Sequence, residues 1–461
     1  MSSSTKIILY IVALAMFMEQ LDATIINTAI PVMAQSLQVN PIDLKIALIS
    51  YLLSLAIFIP ISGWVADKYG AKRVFIIAIA IFTVSSLWCG FAHNLPELVI
   101  ARAIQGLGSA LTLPVGRLII FRSFARHKVV AILSQVVMLA SFGLMLGPVF
   151  GGLITHYFSW HWIFWINIPV GLLTIIITQW AMTEIPPQAV PPFDKLGFIL
   201  FGASLAGVTF GLSAFSESAI RFSLALLIML MSGLLLILYI WYSRRQPYPV
   251  VNIQLFRLRT FQVATAGNLI SRLGFGGVPF LLPILLQVGL GYSPQLAGFL
   301  VAPAALGVLA VKPLSVNFLR WLGYRKLLLI NTLLVVLSLW NFIFIELNTS
   351  IYLIALFSFC FGFLISLQYG AMNSLGYAEI PTQQLSAATS IMGVVQQLTQ
   401  SFGVAISALL IHSFSLDYKT NFVLTTTVFH RVFFALGFIT LIASLIFYRL
   451  HPADGQQMIK N

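Results

Sequence analysis

Two carboxylates three residues apart, Glu19 and Asp22, lie inside the apolar run MEQLDATIINTAIP, Met18 to Pro31. Residues at i and i+3 share a helix face. At 1.5 Å rise they sit roughly 18 and 22 Å along a helix that starts at Ile7. In a membrane that depth is past the middle of the hydrocarbon layer, where charging a side chain costs at least about 2.5–3.5 kcal/mol on insertion scales. Each acid therefore finds a partner or carries a proton. Acids that load and release protons at such depth are the chemistry of a proton relay. Asp22 is the leading protonation site on this reading, and Glu19 a second proton or substrate-cation site. A static ion pair or a helix hydrogen bond is the structural alternative for each. Thr24 and Asn27 extend the polar face, Asn27 as a cavity residue, and Pro31 is placed to bend the exit of the helix.

Other buried polar groups fall on later apolar runs. Arg102 lies about seven residues into the fourth run, where a cation must be paired or face water. Beside Gln105 it is expected to point inward at the polar face of the first span, its field acting on the acids there. The alternative is a guanidinium snorkelling to the interface. Arg272, in NLISRLGFGG, lies about twelve residues into the ninth run, at a depth comparable to Asp22. It has three candidate roles: a salt bridge to Glu19 or Asp22, a contact to an anionic substrate, or buried packing. Gln396, Gln397 and Gln400 form a polar helical patch suited to line the same cavity or to bond helices together. Cys89 and Cys360 sit far apart in apolar helices and read as buried thiols, with no support for a disulfide or metal site. No G-x-x-x-x-G-K-[ST] string is present. The reading is therefore no metal and no cofactor, with a proton gradient as the energy source.

The elements that must hold these residues follow from composition. The chain is 59% hydrophobic and 8% charged, against about 25% charged in a soluble domain. Apolar runs of 18 or more residues recur from Ile7 to Leu450, each long enough to cross a ~30 Å core. The first is too long for a cleavable signal core. The class is an all-α integral membrane protein. Punctuation by turns and charges gives fourteen spans, with limits of about 7–35, 45–66, 73–92, 95–120, 128–156, 161–182, 196–216, 222–243, 260–288, 294–317, 325–345, 350–375, 385–413 and 425–449.

Lysine and arginine gather on one side of those spans. Lys68, Lys72, Arg73, Arg117, Arg122, Arg126, Lys128, Arg244, Arg245, Arg257, Arg259, Arg320, Arg325 and Lys326 face Lys45, Arg221, Lys419 and Arg431 on the other. The basic side is expected to be cytoplasmic with both termini there, and short loops suit a bacterial inner membrane. The +13 net charge then sits beside anionic lipid and implies no nucleic acid. Trp160, Trp162 and Trp165 read as an external aromatic belt. Lys312 reads as a snorkelling residue and His430 as interfacial.

The loop GWVADKYGAKR (63–73) has an echo in NFLRWLGYRK (317–326). Aligning Gly70 with Gly323 matches Lys72-Arg73 to Arg325-Lys326 and puts Asp67 opposite Arg320. Internal repeats around a midplane site characterise transporters. In the loop, Gly63 is expected to permit a close helix contact, Gly70 a turn that a side chain resists, and Asp67 to cap a helix or pair with an arginine. In GLMLGPVFGG (143–152), Gly143, Gly147 and Gly151 recur every four residues and make one flat packing face. Gly152 adjoins it, and Pro148 removes a backbone donor.

These strings resemble signatures of the major facilitator superfamily. GWVADKYGAKR is similar to its cytoplasmic loop signature, RAIQGLGSALTLPVGR (102–117) to its fourth-span signature, and GLMLGPVFGG to its fifth-span antiporter signature. LDATIINTAIP (21–31) and WHWIFWINIPVG (160–171) resemble the fourteen-span drug/proton antiporter branch of EmrB- and QacA-like exporters. The likeness runs on into GYRK and LQVGLGYSP (286–294), covering most of the chain. It implies the major facilitator fold, two six-helix halves plus two inserted spans. The halves are expected at 1–182 and 260–450, the inserted pair in a linker at 183–259, and a tail at 451–461. It further implies a gating role for Gly63, Asp67, Gly70, Lys72 and Arg73, and for the Gly143–Gly152 face with Pro148, which would seal the cavity against proton leak.

The expected activity is proton-coupled export of a small organic compound by alternating access. An organic anion or metal chelate, such as a carboxylate, is the alternative cargo suggested by Arg272. A channel is disfavoured by the antiport-like fifth-span string, and an integral-membrane enzyme by seven scattered histidines that form no catalytic grouping. The implied partners are the small-molecule substrate, protons and membrane lipid. Nothing in the sequence specifies a periplasmic adaptor.

Overall fold

The computed structural model of the protein describes residues 3–124, 126–184, 186–217, 220–381, 384–415 and 424–458. Lys419, assigned above to the external side, lies outside the described residues, as do the side chains of Arg126 and Lys128. Every regular element among the described residues is helical. In chain order these are α1 (Ser3–Ser36), α2 (Lys45–Phe58), α3 (Ser62–Tyr69), α4 (Ala71–Gly90), α5 (Leu95–Ser123), α6 (Arg126–Tyr157), α7 (Trp162–Trp165) and α8 (Asn167–Ala181). They continue with α9 (Lys195–Ala214), α10 (Phe222–Ser243), α11 (Arg259–Phe275), α12 (Val278–Ile284), α13 (Pro294–Ala310), α14 (Lys312–Asn341), α15 (Ile351–Tyr377), α16 (Leu385–Ser415) and α17 (Thr426–Tyr448).

The described residues hold 13 helical segments long and apolar enough to cross a membrane, and a shorter apolar helix at Pro294–Ala310. The shorter helix is the expected tenth span. It is carried on by the first part of α14, which breaks at Gly323 (φ +69°, ψ +166°) before the eleventh span begins. Gly70 ends α3 in a similar conformation (φ +92°, ψ +128°). The two glycines aligned by sequence echo are thus both in backbone regions that L side chains resist. Pro31 does not interrupt α1, which runs unbroken through it.

Two compact units divide the chain: Met1–Phe193 with Ser293–Gly298, and Asp194–Tyr292 with Phe299–Asn461. The additional spans α9 and α10 group with the second unit.

In the first unit α1 is the axis of packing, set against α5, α6 and α8. The glycine face of α6 explains its closest approach. A side chain at Gly143 would strike Phe17 O, one at Gly147 would strike Thr24 Oγ1, and one at Gly151 would strike Ile25 O and Thr28 Oγ1. Thr28 Oγ1 also donates to Pro148 O at 3.4 Å, the carbonyl of the proline inside the continuous helix α6. Gly152 faces the other way, onto Pro294 and Gly298, with Gly152 Cα only 3.2 Å from where a Gly298 Cβ would lie. Gly63 behaves differently. It is exposed and no atom lies within 4 Å of its Cβ position, so the close contact expected there is absent. The aromatic belt also needs revising. Trp160 is 3% exposed and stacks on His161 at 3.9 Å, whereas Trp162 is 50% exposed. Trp165 packs over Gly90. Packing between α4 and α7 claims Trp165, and Trp160 is buried against His161 and Phe164.

In the second unit the pair Gly276–Gly277 separates α11 from α12 and lies against Gly403 of α16. A side chain at Gly277 would meet Ser407 Oγ and Gly403 O. This approach brings α16 within reach of the last turn of α11, where Arg272 stands.

The two kinds of glycine separate in a stability measurement. Gly147→Ala is expected to lower stability by about 1–3 kcal/mol, because overpacking forces α1 and α6 apart. Gly63→Ala, in open space within a helix, should change it by about 0.5 kcal/mol or less. Thermal unfolding of the purified variants, followed by intrinsic fluorescence, checks both; equal melting shifts would contradict the packing.

Candidate functional site

The position of Arg102 is set by the start of α5. Asn94 caps the helix by accepting from Glu97 N at 2.9 Å, and Glu97 Oε2 accepts from His93 N at 2.9 Å. This reciprocal pair satisfies two of the otherwise free donors of a helix N-terminus. With α5 beginning at Leu95, Arg102 stands about 10 Å along the helix, below the interface and beside α1.

There it meets Asp22. Arg102 Nη1 lies 2.6 Å from Asp22 Oδ2 and 2.6 Å from Gln105 Oε1. Gln105 Nε2 donates to Asp22 Oδ1 at 2.9 Å and to Ser86 Oγ at 2.7 Å. Asn167 Nδ2 completes the set with 2.9 Å to Asp22 Oδ1. Asp22 and Arg102 are each 1% exposed, and the guanidinium lies over the Tyr51 ring at 4.2 Å. The network draws on α1, α2, α4, α5 and α8, all in the first unit. A buried charge is tolerable when paired and bonded in this way, and Asp22 accepts from three different side chains. Arg102 is therefore inward-facing and does not snorkel.

Glu19, one turn earlier on the same face, is only 5% exposed but less well served. The hydroxyls of Ser109 and Thr112 and the charges of Asp22 and Arg117 are within its electrostatic reach. Its Oε1 atom has no hydrogen-bond partner among the described residues. Tyr51 and Ser109, on the wall between the two acids, share a 2.8 Å hydrogen bond. Asn27 is half-buried further along α1.

The loop between α3 and α4 makes a second polar cluster. Asp67 pairs with Arg122 at 2.5 Å, which selects the arginine-pairing alternative. Gln188 N donates to Asp67 O at 2.7 Å, and Lys72 Nζ to Gln179 O at 3.0 Å. Lys68 lies 4.6 Å from the Trp64 ring centroid. The loop signature thus fastens α3 and α4 to α5 and α8 at the basic end of the first unit.

In the second unit Arg272 is 3% exposed. Its Nε donates to Asn268 Oδ1, and its Nη1 to Gln396 O and Gln400 Oε1, each at 3.3 Å. Its guanidinium lies 3.8 Å over the Tyr369 ring. Among the described residues no carboxylate is within 4 Å of it, and Nη2 has no hydrogen-bond partner. Gln400 holds the cluster together by donating to Gly276 O at 2.6 Å, and Gln397 is half-buried alongside.

Sequence reasoning passed over Asn167, Ser86, Tyr51, Asn268 and Tyr369. Asn268 was within reach, since it stands four residues before Arg272 on one helix face. The others are remote in sequence from the charges they serve, and their polarity alone carries no signal.

The profile of the Major Facilitator Superfamily matches residues 12–404 and, separately, 264–458. The chain belongs to that superfamily. Curated relatives span its whole length. "Putative multidrug resistance protein MdtD" of Escherichia coli O157:H7 (strain EC4115 / EHEC) is 37% identical over 462 residues, 99% of this chain and 97% of the relative. The protein of the same description from Enterobacter sp. (strain 638) is 36% identical over 456 residues, 98% and 96% of the two. Among solved structures, a peptide transporter POT in complex with sulfate aligns with a TM-score of 0.72 at 14% identity, covering 97% of this chain and 95% of that one. A bacterial homologue of the human lysosomal transporter Spinster, inward-facing and unoccupied, aligns at 0.67 and 14%, covering 97% of each chain. At such identity these two show the fold. The protein is a multi-pass membrane transporter of this superfamily rather than an enzyme.

The Asp22–Arg102 pair of this transporter yields a test of burial energetics. Arg102→Gln strands an ionised or unbonded Asp22 and should cost about 3–5 kcal/mol, whereas the double variant Asp22→Asn/Arg102→Gln should cost clearly less. Unfolding in detergent of wild type, both single variants and the double variant measures the coupling. Additive losses would mean that the two side chains do not neutralise each other.

Proposed function

We propose that the protein is a proton-coupled secondary transporter that exports small organic compounds by alternating access across a bacterial inner membrane, with both termini cytoplasmic. The observation that carries this reading is Glu19: an acid buried at membrane depth with one oxygen unbonded, one turn from a neutralised Asp22–Arg102 pair. The bare oxygen of Glu19 is the place for a proton that comes and goes. Asp22 is the second site, because a proton placed on it releases Arg102 and loosens the bonds that tie α1 to α5 and α8. Loading would thus alter the packing of the axial helix that α6 grips. Drug-like cargo is supported by the multidrug resistance descriptions of the relatives.

The second reading concerns cargo charge. Arg272 is a buried cation faced by neutral groups, with Nη2 unbonded among the described residues. An anionic group on the cargo, such as a carboxylate, would supply the missing charge and hydrogen bonds. This favours organic anions or metal chelates over lipophilic cations at that point.

Proteoliposomes with an imposed pH gradient test both. Glu19→Gln and Asp22→Asn should each abolish uphill export and substrate-dependent proton movement while leaving a folded protein. Arg272→Gln should raise the half-saturating concentration of anionic cargo selectively. Undiminished gradient-driven export in the Glu19→Gln/Asp22→Asn double variant would defeat the coupling assignment.

A further inference from the structure

The second unit holds a cavity that neither acid pair nor Arg272 explains. It is a half-open cleft of about 580 Å³ between the inserted helices α9 and α10, the 3₁₀ turn Ile253–Arg257, the start of α11, and α16. Its walls are mainly apolar, with Phe201 from α9, Leu236 and Tyr239 from α10, and Val394 and Leu398 from α16. Two guanidiniums, Arg244 and Arg257, line the same cavity at the basic ends of the helices, and both residues are exposed.

The surroundings make those two charges available. Among the described residues neither arginine has a carboxylate within 4 Å. The nearby acids have other partners: Asp194 Oδ1 accepts from Gly197 N at 2.9 Å and Tyr242 OH at 2.8 Å, and Glu379 Oε2 accepts from Thr260 N at 3.4 Å. Neighbouring basic residues are also committed: Arg245 stacks on Trp241 at 3.8 Å, and Arg259 pairs with Asp454 at 3.4 Å. The wall is built rather than accidental. Tyr239 OH accepts from Val251 N at 2.9 Å, and Ser243 Oγ donates to Val251 O at 3.2 Å, so the connection after α10 is pinned at the cavity edge. The rest of α10 carries exposed Leu227, Leu230, Leu234 and Ile237, which suits a helix bathed in lipid.

We infer that this cavity binds one anionic phospholipid, its phosphate held by Arg244 and Arg257 and an acyl chain filling the apolar space. Basic pockets between membrane helices recognise anionic head groups through charge, and an apolar wall adds the chain. A free anion would use the arginines and leave the apolar wall unexplained. A bound chain would bridge the inserted pair to α16. The spacing of α16 puts Val394 and Leu398 on the cavity side and Gln396 and Gln400, two residues out of phase, on the Arg272 side. The inserted spans thereby acquire a role: they complete a lipid site behind the helix that serves Arg272.

Native mass spectrometry of the full-length protein tests this after delipidation and incubation with phosphatidylglycerol or phosphatidylcholine of identical acyl chains. Wild type should retain one phosphatidylglycerol about tenfold or more over phosphatidylcholine. Arg244→Gln/Arg257→Gln should erase that preference. Val395→Trp, which fills the space without touching the charges, should reduce retention of both lipids. Excess inorganic phosphate should leave the lipid in place. Equal retention of the two lipids by wild type overturns the proposal, and so does an unchanged preference in the double variant. Displacement by phosphate would leave a simple anion site in its place. If the double variant does not fold, the wild-type head-group comparison and Val395→Trp still decide.

Discussion

A charge inside a lipid-spanning bundle must be neutralised by the bundle itself, and in this protein Asp22 and Arg102 meet that demand. Five helices of the first unit contribute to their neutralisation, so the ion pair also records how those helices are assembled. Removing water from both groups is costly, and that cost is offset only because Gln105 and Asn167 take up the lone pairs of Asp22 that Arg102 leaves. Glu19 shares the helix and the burial but not the full set of donors. Two acids on one face thus have unequal environments: Asp22 is bonded at both oxygens, whereas Glu19 keeps one oxygen without a hydrogen-bond partner among the described residues.

The glycine face of α6 belongs to the same design. α1 carries the acids and therefore has to lie close enough to α5 and α8 for bonds shorter than 3 Å, while its far side is held by α6. Without a hydrophobic effect between helices in lipid, such closeness comes from shape, and Gly143, Gly147 and Gly151 provide it. In the second unit the same device recurs at Gly276, Gly277 and Gly403, where close backbones carry Gln400 to Arg272. The outcome there is a cation with no carboxylate within 4 Å among the described residues, held by amides, a carbonyl and an aromatic face.

Much of this was legible in the sequence. The membrane class follows from the length and frequency of apolar runs. The equivalence of Gly70 and Gly323 follows from the repeated loop, and both adopt backbone angles that only glycine holds without strain. The flat face of α6 follows from glycine at every fourth position. The sequence misread Gly63 and the tryptophans, because composition does not say what lies opposite a residue. An exposed position and a tight contact look alike in a string of letters.

What the sequence determined by itself was the set of groups that could not be left alone in lipid: two acids on α1, a guanidinium on α5 and another on α11. Period and depth were enough for that, since both are local properties of one helix. Only the tertiary structure decided who answers whom. Arg102 is eighty positions from Asp22, Asn167 is farther still, and no rule of spacing links them. Electrostatic pairing acts through space at a few ångströms, and the packing of the helices of the first unit made Arg102 the partner of Asp22.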